Sequence, residues 1–573
     1  MTEHKLQRTR MPEYLGLLFL CLCFLLLCMV LSDASKHILD GDTSGELALA
    51  KLLTRENAII SSNWYYSTEL RVLNTQLVYA PLFRVFENWR TVRTVGAILL
   101  NILLVASYLF MMRQTTVNKA SRLFSAGLLM TPLSVAQARI INVHTYYIPH
   151  IAIGFLLIGL VLKYARKPAE NGLVTILLFL ILSFLSGLGG IRQLMVTLAP
   201  LTLTLIIRSL FCKNENTSTL MLGTLSLLRN KTLLLSMYGV AANMIGVIVN
   251  LAILKRLYSF GDQITTSFAE FSLQRGVDVF NSLLRLFGFR QGSRLFSQMG
   301  ILSLVAVTLL ILFLFFCIRS MLLCQREREI LVQHASANFL WLFFASSFLV
   351  NTFIFTLTDA FFFELYYLPV IIFVVPLTAT LLDIETTPAK GYQRLIGWFV
   401  AASILVGGLY NIHFLTQRPR AGSITKYGGL TYDNINLADD LRPALEFIEM
   451  NGYCYGYATF WHANVIRELS NGNIVCTGIH FPEVTIYPWL LEKKEAEPML
   501  DRGPSFLLLS TEEYRRNPNH ALYQRTIAPV MSSTNPNDTN HNGQGGMVSY
   551  SDRSFVVIVF EDDNEVQQML HNR

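Results

Sequence analysis

Long apolar stretches recur through the first 415 or so residues of the chain, and short polar segments separate them. Each stretch is close to the length that an α-helix needs to cross the hydrocarbon core of a bilayer. We therefore predict an α-helical polytopic membrane protein with about eleven transmembrane helices. The predicted spans are Leu15–Leu31, Val95–Met112, Leu123–Ala138, Ile148–Leu162, Leu173–Leu188, Met195–Phe211, Leu233–Leu254, Ile301–Ile318, Phe339–Leu357, Leu368–Leu382 and Ile396–Tyr410.

Two long segments interrupt this pattern of spans. The first, which we call the first loop, runs over residues 33–94, and the second runs over residues 255–300. Within the second, Phe268–Phe289 alternates apolar and polar residues at helical spacing, which predicts an amphipathic helix along the membrane surface. Together with the spans, these segments make up a predicted transmembrane domain of residues 1–415.

The chain beyond residue 415 is more polar and has a different periodicity. Asp439–Met450 has helical spacing, whereas Ser505–Leu509 and Phe555–Phe560 are short apolar runs typical of buried strands. This mixture predicts a small α/β domain in residues 416–573. The stretch Tyr455–Asn464 is rich in aromatic residues and fits either a carbohydrate-binding surface or the domain core.

Lysine and arginine are distributed unevenly between the segments that separate the spans. With a cytoplasmic N-terminus, the short inner segments carry most of the basic residues, and the short outer turns hold little more than Arg139 and Arg192. Cytoplasmic loops of membrane proteins carry such an excess of positive charge. We therefore predict a multi-pass protein of the cell membrane with its N-terminus in the cytoplasm. An odd number of spans then places the C-terminal domain outside.

The composition agrees with a membrane protein and indicates which classes of partner the chain binds. Only 15% of the residues are charged, against about 25% in an ordinary soluble domain. The net charge is +7, but the basic residues form no long run, so we expect membrane lipids and no nucleic acid as partners. Cys454 and Cys476 could form a disulfide if the C-terminal domain faces an oxidising compartment.

The first loop contains acidic residues just beyond the end of the first predicted span. Asp40, Asp42 and Glu46 precede a helical-looking stretch that ends near Leu53. One carboxylate could act as the general base that deprotonates a hydroxyl nucleophile, and two could hold a divalent cation such as Mg²⁺ or Mn²⁺. The structural alternative is that these residues cap the helix.

The order of these features resembles that of the GT-C glycosyltransferases, multi-span enzymes that use polyprenyl-phosphate sugars. Members of this class begin with one span and a large outer loop, in which an acidic residue precedes a helix that carries an alanine two turns on. Asp42 followed by Ala50 matches this arrangement. The segments Trp64–Tyr66 and Pro81–Phe83 are similar to later parts of that loop. The class often has a second acidic residue directly after the first, but Thr43 occupies that position here.

The resemblance implies the chemistry and the substrates. It implies a bacterial cell-envelope enzyme that moves a sugar from a polyprenyl-phosphate donor to a glycan, lipid or protein acceptor, with inversion at the anomeric carbon. Asp42 would be the general base, and Asp40, Glu46 or Glu69 could supply the second carboxylate. Glu46 is also a candidate for binding substrate. No cofactor is implied with certainty, and a divalent cation remains an alternative.

The leaving polyprenyl phosphate would be an anion that requires cationic stabilisation. Arg139 and Arg192 are the candidates, because a positive charge at an outer turn runs against the topology bias. The alternative is that each arginine extends to ordinary lipid phosphate. The sequence Tyr366-Tyr367-Leu368-Pro369 resembles the start of a late helix in the class, although Tyr366 stands where an arginine is expected.

Four further side chains are candidates for holding substrate. Trp64 and Tyr65 could stack on a sugar or anchor the chain in the aromatic belt of the membrane interface. His144 and Tyr147 follow Arg139 closely in the chain. His144 could bind substrate, ligate a metal or have a structural role alone.

A transporter or flippase of a lipid-linked or small polar substrate is the alternative function. It predicts ionisable residues within the spans and helices that are broken near the membrane midplane. The predicted spans are largely free of charge, and the acidic residues lie in the first loop. This distribution favours chemistry at the membrane surface.

Overall fold

The computed structural model describes residues 2–70, 72–166, 172–211, 230–261, 267–270, 272–326, 330–359, 364–383, 391–417, 426–427, 430–431, 437–481, 485–496, 503–515 and 547–560. Its α-helices are Thr2–Ala34, Gly41–Glu56, Gln76–Leu82, Trp89–Arg113, Lys119–Leu128, Val135–Gln137, Ile148–Arg166, Gly172–Gly187, Ala199–Phe211, Lys231–Val249, Lys255–Leu257, Leu273–Leu286, Gln298–Arg326, Ile330–Leu357, Leu368–Ile371, Val374–Leu382, Gly391–Thr416, Leu437–Met450, Phe460–Leu469, Lys493–Ala496 and Thr511–Arg515. Three π-helical segments, Ala138–Val143, Leu194–Leu198 and Asn250–Leu254, and one 3₁₀ helix, Glu364–Tyr367, complete the helical structure of these residues.

Within the described ranges, eight helices are long and apolar enough to cross a membrane. They are Met11–Ala34, Trp89–Arg113, Ile148–Arg166, Lys231–Leu257, Gln298–Leu322, Ala337–Leu357, Leu365–Leu382 and Tyr392–Thr416. Two shorter apolar helices, Gly172–Gly187 and Leu194–Leu210, accompany them. The prediction of an α-helical polytopic membrane protein is confirmed. The count of about eleven spans stays a prediction, because short and interrupted helices do not fix how many segments cross.

The predicted span Leu123–Ala138 is wrong as one continuous helix. The helix Lys119–Leu128 ends before Pro132, and a new helical segment begins at Val135. Proline has no N–H to donate, and it disfavours helical geometry in the residue before it. The carbonyl of Pro132 instead accepts a hydrogen bond of 2.9 Å from the side chain of Asn411. Hydropathy did not reveal this break, because every residue around it remains compatible with an apolar environment.

The amphipathic helix predicted in Phe268–Phe289 forms as Leu273–Leu286. It buries Leu283 and Leu286, whereas Leu273 and Phe280 are exposed. The helix therefore has an exposed apolar stripe in addition to the one that packs on the protein. Its location along a membrane surface stays a prediction.

The C-terminal domain contains a six-stranded mixed sheet, which confirms the predicted α/β fold class. Its strands have the order β6-β5-β4-β8-β10-β9, in which β4 runs parallel to β5 and β8, and β10 runs antiparallel to β8 and β9. The described strands are β1 Trp64–Tyr65, β2 Lys426–Tyr427, β3 Leu430–Thr431, β4 Tyr455–Thr459, β5 Val475–His480, β6 Thr485–Ile486, β7 Leu491–Glu492, β8 Ser505–Ser510, β9 Met547–Ser551 and β10 Phe555–Phe560. The domain boundary at residue 416 stays a prediction.

Two expectations for this domain have a direct structural outcome. The aromatic residues Tyr455 and Tyr457 lie buried in β4, so this part of the aromatic-rich stretch belongs to the core. Cys454 and Cys476 are both free thiols, and Cys476 is buried while Cys454 is exposed. The disulfide considered for these two residues is therefore absent from the structure.

The C-terminal domain packs on the first loop. The helix Gly41–Glu56, which we call the juxtamembrane helix, contacts the helix Phe460–Leu469 of the domain. Strand β1 of the first loop pairs antiparallel with β7 of the domain. Arg93 donates two hydrogen bonds of 2.5 Å to the carboxylate of Glu468, and both side chains are buried. We call the side of the helix bundle that carries this packing the domain face.

Candidate active site

The juxtamembrane helix begins at a capping carboxylate. Asp40 has an extended backbone, and its side chain accepts a hydrogen bond of 2.9 Å from the backbone N–H of Thr43. The hydroxyl of Thr43 donates a second bond of 2.9 Å to the same oxygen, Oδ1. This arrangement satisfies a backbone donor that has no partner within the helix. The capping role considered for the acidic group is therefore confirmed for Asp40.

The other oxygen of Asp40 faces two basic side chains from beyond the helix break. Nδ1 of His144 lies 2.9 Å from Oδ2 of Asp40, and a guanidinium nitrogen of Arg139 lies 3.5 Å from the same oxygen. The side chain of His144 is fully buried, and those of Asp40 and Arg139 are mostly buried. Three of the predicted site residues therefore form one contacting cluster.

Electrostatics in this cluster keep the carboxylate charged. Burial favours the neutral form of Asp40, but His144, Arg139 and the Thr43 N–H outweigh it and hold the pKa of Asp40 well below its ordinary value. Burial also lowers the pKa of His144, more than the neighbouring Asp40 raises it. A neutral His144 can still donate its Nδ1–H to the carboxylate, while Arg139 supplies the balancing positive charge.

Asp42, the predicted general base, lies in the first turn of the juxtamembrane helix and is half-buried. Its surroundings come from the C-terminal domain. A Cβ added to the preceding Gly41 would lie 2.7 Å from the carbonyl oxygen of Phe460, so the helix start abuts the domain backbone. Burial and then the charge of Asp42 raise the pKa of Tyr487. Asp42 therefore lies where the first loop meets the domain.

The remaining two acids occupy different surroundings. Glu46 is buried, and its carboxylate accepts hydrogen bonds from the side chains of Asn74, at 2.9 Å, and Thr75. Glu69 packs against Gly190, where an added Cβ would lie 2.6 Å from the carboxyl carbon. Gly190 also has a φ of +97°, which favours glycine. Glu46 thus has a partner set typical of a structural carboxylate, while Glu69 lies beside the turn that leads to the second arginine.

Arg192 is held between two aromatic rings. Its guanidinium carbon lies 5.3 Å from the ring centre of Tyr147 and 5.5 Å from that of Tyr366. Stacking on aromatic faces leaves the N–H groups of arginine free to bind an anion in the ring plane. Nη1 of Arg192 is buried and has no hydrogen-bond partner among the described residues. The tyrosine that replaces the expected family arginine is thus a contact of Arg192.

The two aromatic residues predicted in the first loop differ in accessibility. Trp64 is fully buried in the pairing of β1 with β7, so it has no face to offer a sugar, and the geometry supports a structural role. Tyr65 is half-buried, with Nζ of Lys493 5.6 Å from its ring centre. Direct binding of substrate by Tyr65 and Tyr147 stays a prediction.

The predicted divalent cation finds little support in these side chains. In the part of the chain that the structure describes, no group of three or more His, Cys, Asp or Glu residues could hold a metal ion. Asp40 and His144 offer two ligands, but Arg139 approaches the same carboxylate oxygen and would repel a cation. Mg²⁺ and Mn²⁺ prefer oxygen ligands, so the residues around Asp40 do not fit either ion.

No family model and no curated protein sequence matches the chain. Its architecture is nevertheless similar to that of ArnT from Cupriavidus metallidurans, whose apo crystal structure aligns with a TM-score of 0.54 and 12% identity over 94% of this chain and 97% of that chain. The chain shares the fold of ArnT. ArnT bound to undecaprenyl phosphate aligns with a TM-score of 0.50 and 12% identity over 95% and 97% of the two chains. The oligosaccharyltransferase from Archaeoglobus fulgidus, tethered to an acceptor peptide, aligns with a TM-score of 0.46 and 11% identity. The alignment covers 82% of this chain and 64% of that chain.

The GT-C-like fold class that the spans and the resemblance predicted is thus confirmed, but three contacts within the fold were not predicted. Thr43 donates a hydrogen bond to Asp40, the ring of Tyr366 packs against Arg192, and the charge of Asp42 acts on Tyr487. The unusual Tyr366 was noted in the sequence, and the two glycines before Arg192 were a usable signal for a tight turn. Nothing local in the sequence linked Tyr487 to a residue in the first loop.

Proposed function

We propose that the protein transfers a sugar from a polyprenyl-phosphate donor to an acceptor hydroxyl at the domain face, and that this face is the outer side of the membrane. The GT-C fold shared with ArnT supports the reaction class, because one of the ArnT structures holds undecaprenyl phosphate. The contacts at the domain face support the location. Candidate carboxylates and arginines from distant parts of the chain lie there together, next to a domain outside the helix bundle.

The observation that carries the proposal is the arrangement of Arg192. Its guanidinium lies between Tyr147 and Tyr366, with Nη1 buried and without a hydrogen-bond partner in the described residues. A phosphate that accepts this N–H would satisfy a buried donor and neutralise a charge near the membrane. We propose that Arg192 binds the donor phosphate and stabilises it as it leaves. Arg139, already close to Asp40, would add positive potential.

In the proposed reaction, Asp42 is the general base. The acceptor oxygen attacks the anomeric carbon while Asp42 takes the hydroxyl proton, and the bond from that carbon to the phosphate oxygen breaks. The electron pair leaves with the polyprenyl phosphate, so a single displacement inverts the anomeric centre. Asp40 is less suited as the base, because a carboxylate with a strongly lowered pKa holds a proton poorly. Asp40 would instead keep Arg139 and His144 in place.

The proposal is tested by transfer from radiolabelled polyprenyl-phosphate sugars, using the full-length protein in proteoliposomes. We expect Asp42→Asn to lower kcat by about a hundredfold or more, since general bases contribute about 10²–10⁴-fold. Arg192→Gln should raise KM for the donor and lower kcat, because the phosphate is bound in both the ground and transition states. Asp278→Asn and Arg294→Gln are the matched controls, because they change exposed side chains in the second long segment, residues 255–300.

Two results would contradict this assignment. Unchanged transfer by a well-folded Asp42→Asn would remove the proposed base, and normal donor affinity in Arg192→Gln would remove the phosphate site. The transporter or flippase remains the second candidate, because the break around Pro132 resembles the interrupted helices of transporters. Uptake of substrate into vesicles without any sugar transfer would favour it.

A further inference from the structure

A row of accessible aromatic rings lies on the C-terminal domain next to the juxtamembrane helix. Trp461 packs edge-on against Phe460, with ring centres 5.2 Å apart, and Phe460 packs edge-on against Tyr487 at 5.7 Å. Tyr487 stacks on Trp489 with ring centres 5.7 Å apart and planes 5° from parallel. We call Trp461, Tyr487 and Trp489 the aromatic shelf.

The rings of the aromatic shelf are accessible to solvent, unlike those in the centre of the sheet. The side chain of Trp461 is 51% exposed, and Tyr487 and Trp489 are half-buried. In contrast, Tyr457 and Phe506 of the same sheet are fully buried. Leaving aromatic surface in contact with water costs free energy that packing could recover. Aromatic side chains kept at a surface in this way are typical of sites that bind another molecule.

One end of the shelf reaches the proposed base. A Cβ on Gly41 would lie 3.1 Å from the α-carbon of Trp461, so the start of the juxtamembrane helix touches the shelf. Asp42 is the next residue, and its charge contributes, after burial, to the raised pKa of Tyr487. The shelf therefore adjoins the first turn of the juxtamembrane helix, which carries Asp42.

The other end of the shelf reaches the segment that carries Glu69. A Cβ on Gly261 would lie 3.6 Å from the Trp489 ring and 3.6 Å from the carbonyl oxygen of Ser67. The backbone N–H of Gly261 also donates a hydrogen bond of 2.9 Å to that carbonyl. Trp489 thus approaches the first loop two residues before Glu69. The shelf lies between the two parts of the loop that hold candidate carboxylates.

The chemistry of the shelf fits a sugar ring better than a lipid chain or an extended peptide. A pyranose has an apolar C–H face that can cover an aromatic ring, and hydroxyls at its rim that need polar partners. Two such partners lie at the shelf, the phenol of Tyr487 and the exposed His480, whose ring centre is 4.1 Å from that of Tyr487. The carboxylate of Asp42 belongs to the helix turn that touches Trp461. An acyl chain has no hydroxyls that could bind the Tyr487 phenol or the His480 ring.

We propose that the aromatic shelf binds a sugar ring of the acceptor, so that the acceptor is a glycan whose hydroxyl is presented to Asp42. This inference rests on the proposed function, and it selects one of the three acceptor classes that the sequence left open. Trp461 and Trp489 would supply stacking area, and Tyr487 would position the ring at the carboxylate. The C-terminal domain would then determine the acceptor, while the helix bundle binds the donor.

The test uses the full-length protein in nanodiscs and an array of immobilised short oligosaccharides as the probe. We expect the wild type to bind at least one glycan, and Trp489→Leu and Trp461→Leu to weaken that binding about tenfold, a factor that corresponds to about 1.4 kcal/mol. Trp489→Phe retains an aromatic face and should keep most of the affinity. Trp398→Leu is the matched control, because Trp398 is similarly exposed, at 48%, on a membrane-spanning helix.

A kinetic assay separates this inference from the proposed function. With the array-selected glycan as acceptor, the shelf variants should raise KM for the acceptor and leave KM for the donor unchanged, whereas Asp42→Asn should lower kcat. Transfer to a lipid or peptide with normal kinetics in the shelf variants would overturn the shelf while the glycosyltransferase stands. Shelf-dependent glycan binding with no consumption of any polyprenyl-phosphate sugar would instead overturn the proposed reaction and support a glycan-binding site.

Discussion

At the scale of single residues, Asp40 combines a helix cap, which the sequence predicted as one alternative, with ionic contacts that the sequence did not predict. It caps the juxtamembrane helix through one oxygen and meets Arg139 and His144 through the other. The cap was predictable, because the helix start and its donor lie within three residues. The ionic contacts were not predictable from local sequence, because Arg139 follows Asp40 by 99 positions and only the folded helices bring them together.

The charge of Asp40 gives a testable dependence of stability on pH. Asp40→Asn keeps a capping oxygen but leaves Arg139 without its carboxylate, so we expect a loss on the order of 3 kcal/mol in the free energy of unfolding at pH 7. The folded pKa lies below the ordinary value of 3.8, so the charged form stabilises the fold above that pH. This contribution is lost as the pH falls through the folded pKa.

Thermal unfolding of the purified protein between pH 7 and pH 3 measures this effect. The difference in Tm between wild type and Asp40→Asn should stay constant down to about pH 4 and shrink below it, as the wild type begins to lose its advantage. Asp278→Asn, an exposed carboxylate in the second long segment, should leave Tm unchanged. A difference that is equal at every pH would mean that the substitution acts through shape and not through charge.

At the scale of elements, hydropathy located the membrane helices well but not their interruptions. The helix Trp89–Arg113 extends beyond the predicted span, whereas the stretch around Pro132 breaks. Mean hydropathy measures transfer to lipid, and it is insensitive to whether each backbone N–H has an acceptor. In the domain, the apolar runs at Ser505–Leu509 and Phe555–Phe560 form neighbouring strands, as expected. Their place in a mixed sheet depends on pairings between distant segments.

A buried ion pair joins the end of the first loop to the domain. Arg93 and Glu468 are separated by 375 positions and are only 3% and 4% exposed in their side chains. The hydroxyl of Ser44 donates a further bond of 2.7 Å to Glu468. We expect Glu468→Gln to lower the free energy of unfolding by about 3–5 kcal/mol, because it leaves a buried arginine without its counter-charge.

The ion pair between Lys119 and Glu13 serves as the control for the effect of burial, because its side chains are 60% and 35% exposed. Glu13→Gln should change stability by less than about 1 kcal/mol. The paired replacement of Arg93→Met with Glu468→Leu should cost less than Glu468→Gln alone, since it leaves no buried charge. Equal Tm values for Glu468→Gln and Glu13→Gln would show that the buried pair does not hold the domain in place.

At the scale of the whole molecule, the proposed function depends on which side of the membrane carries the C-terminal domain and the first loop. The first loop contacts both Arg139 and the C-terminal domain, so all three must lie on one side of the membrane. The uneven distribution of basic residues and an odd number of spans predict that this side is the outer one.

The two cysteines of the domain offer a direct measurement of this orientation. Cys454 is free and exposed, whereas Cys476 is buried, and burial raises the pKa of its thiol. Because the thiolate is the reactive species, we expect a membrane-impermeant maleimide added to intact cells to label Cys454 and to leave Cys476 unmodified. Cys454→Ser should abolish the label, which identifies its position. Labelling that appears only after the cells are permeabilised would place the domain in the cytoplasm, and transfer at the outer face would then be excluded.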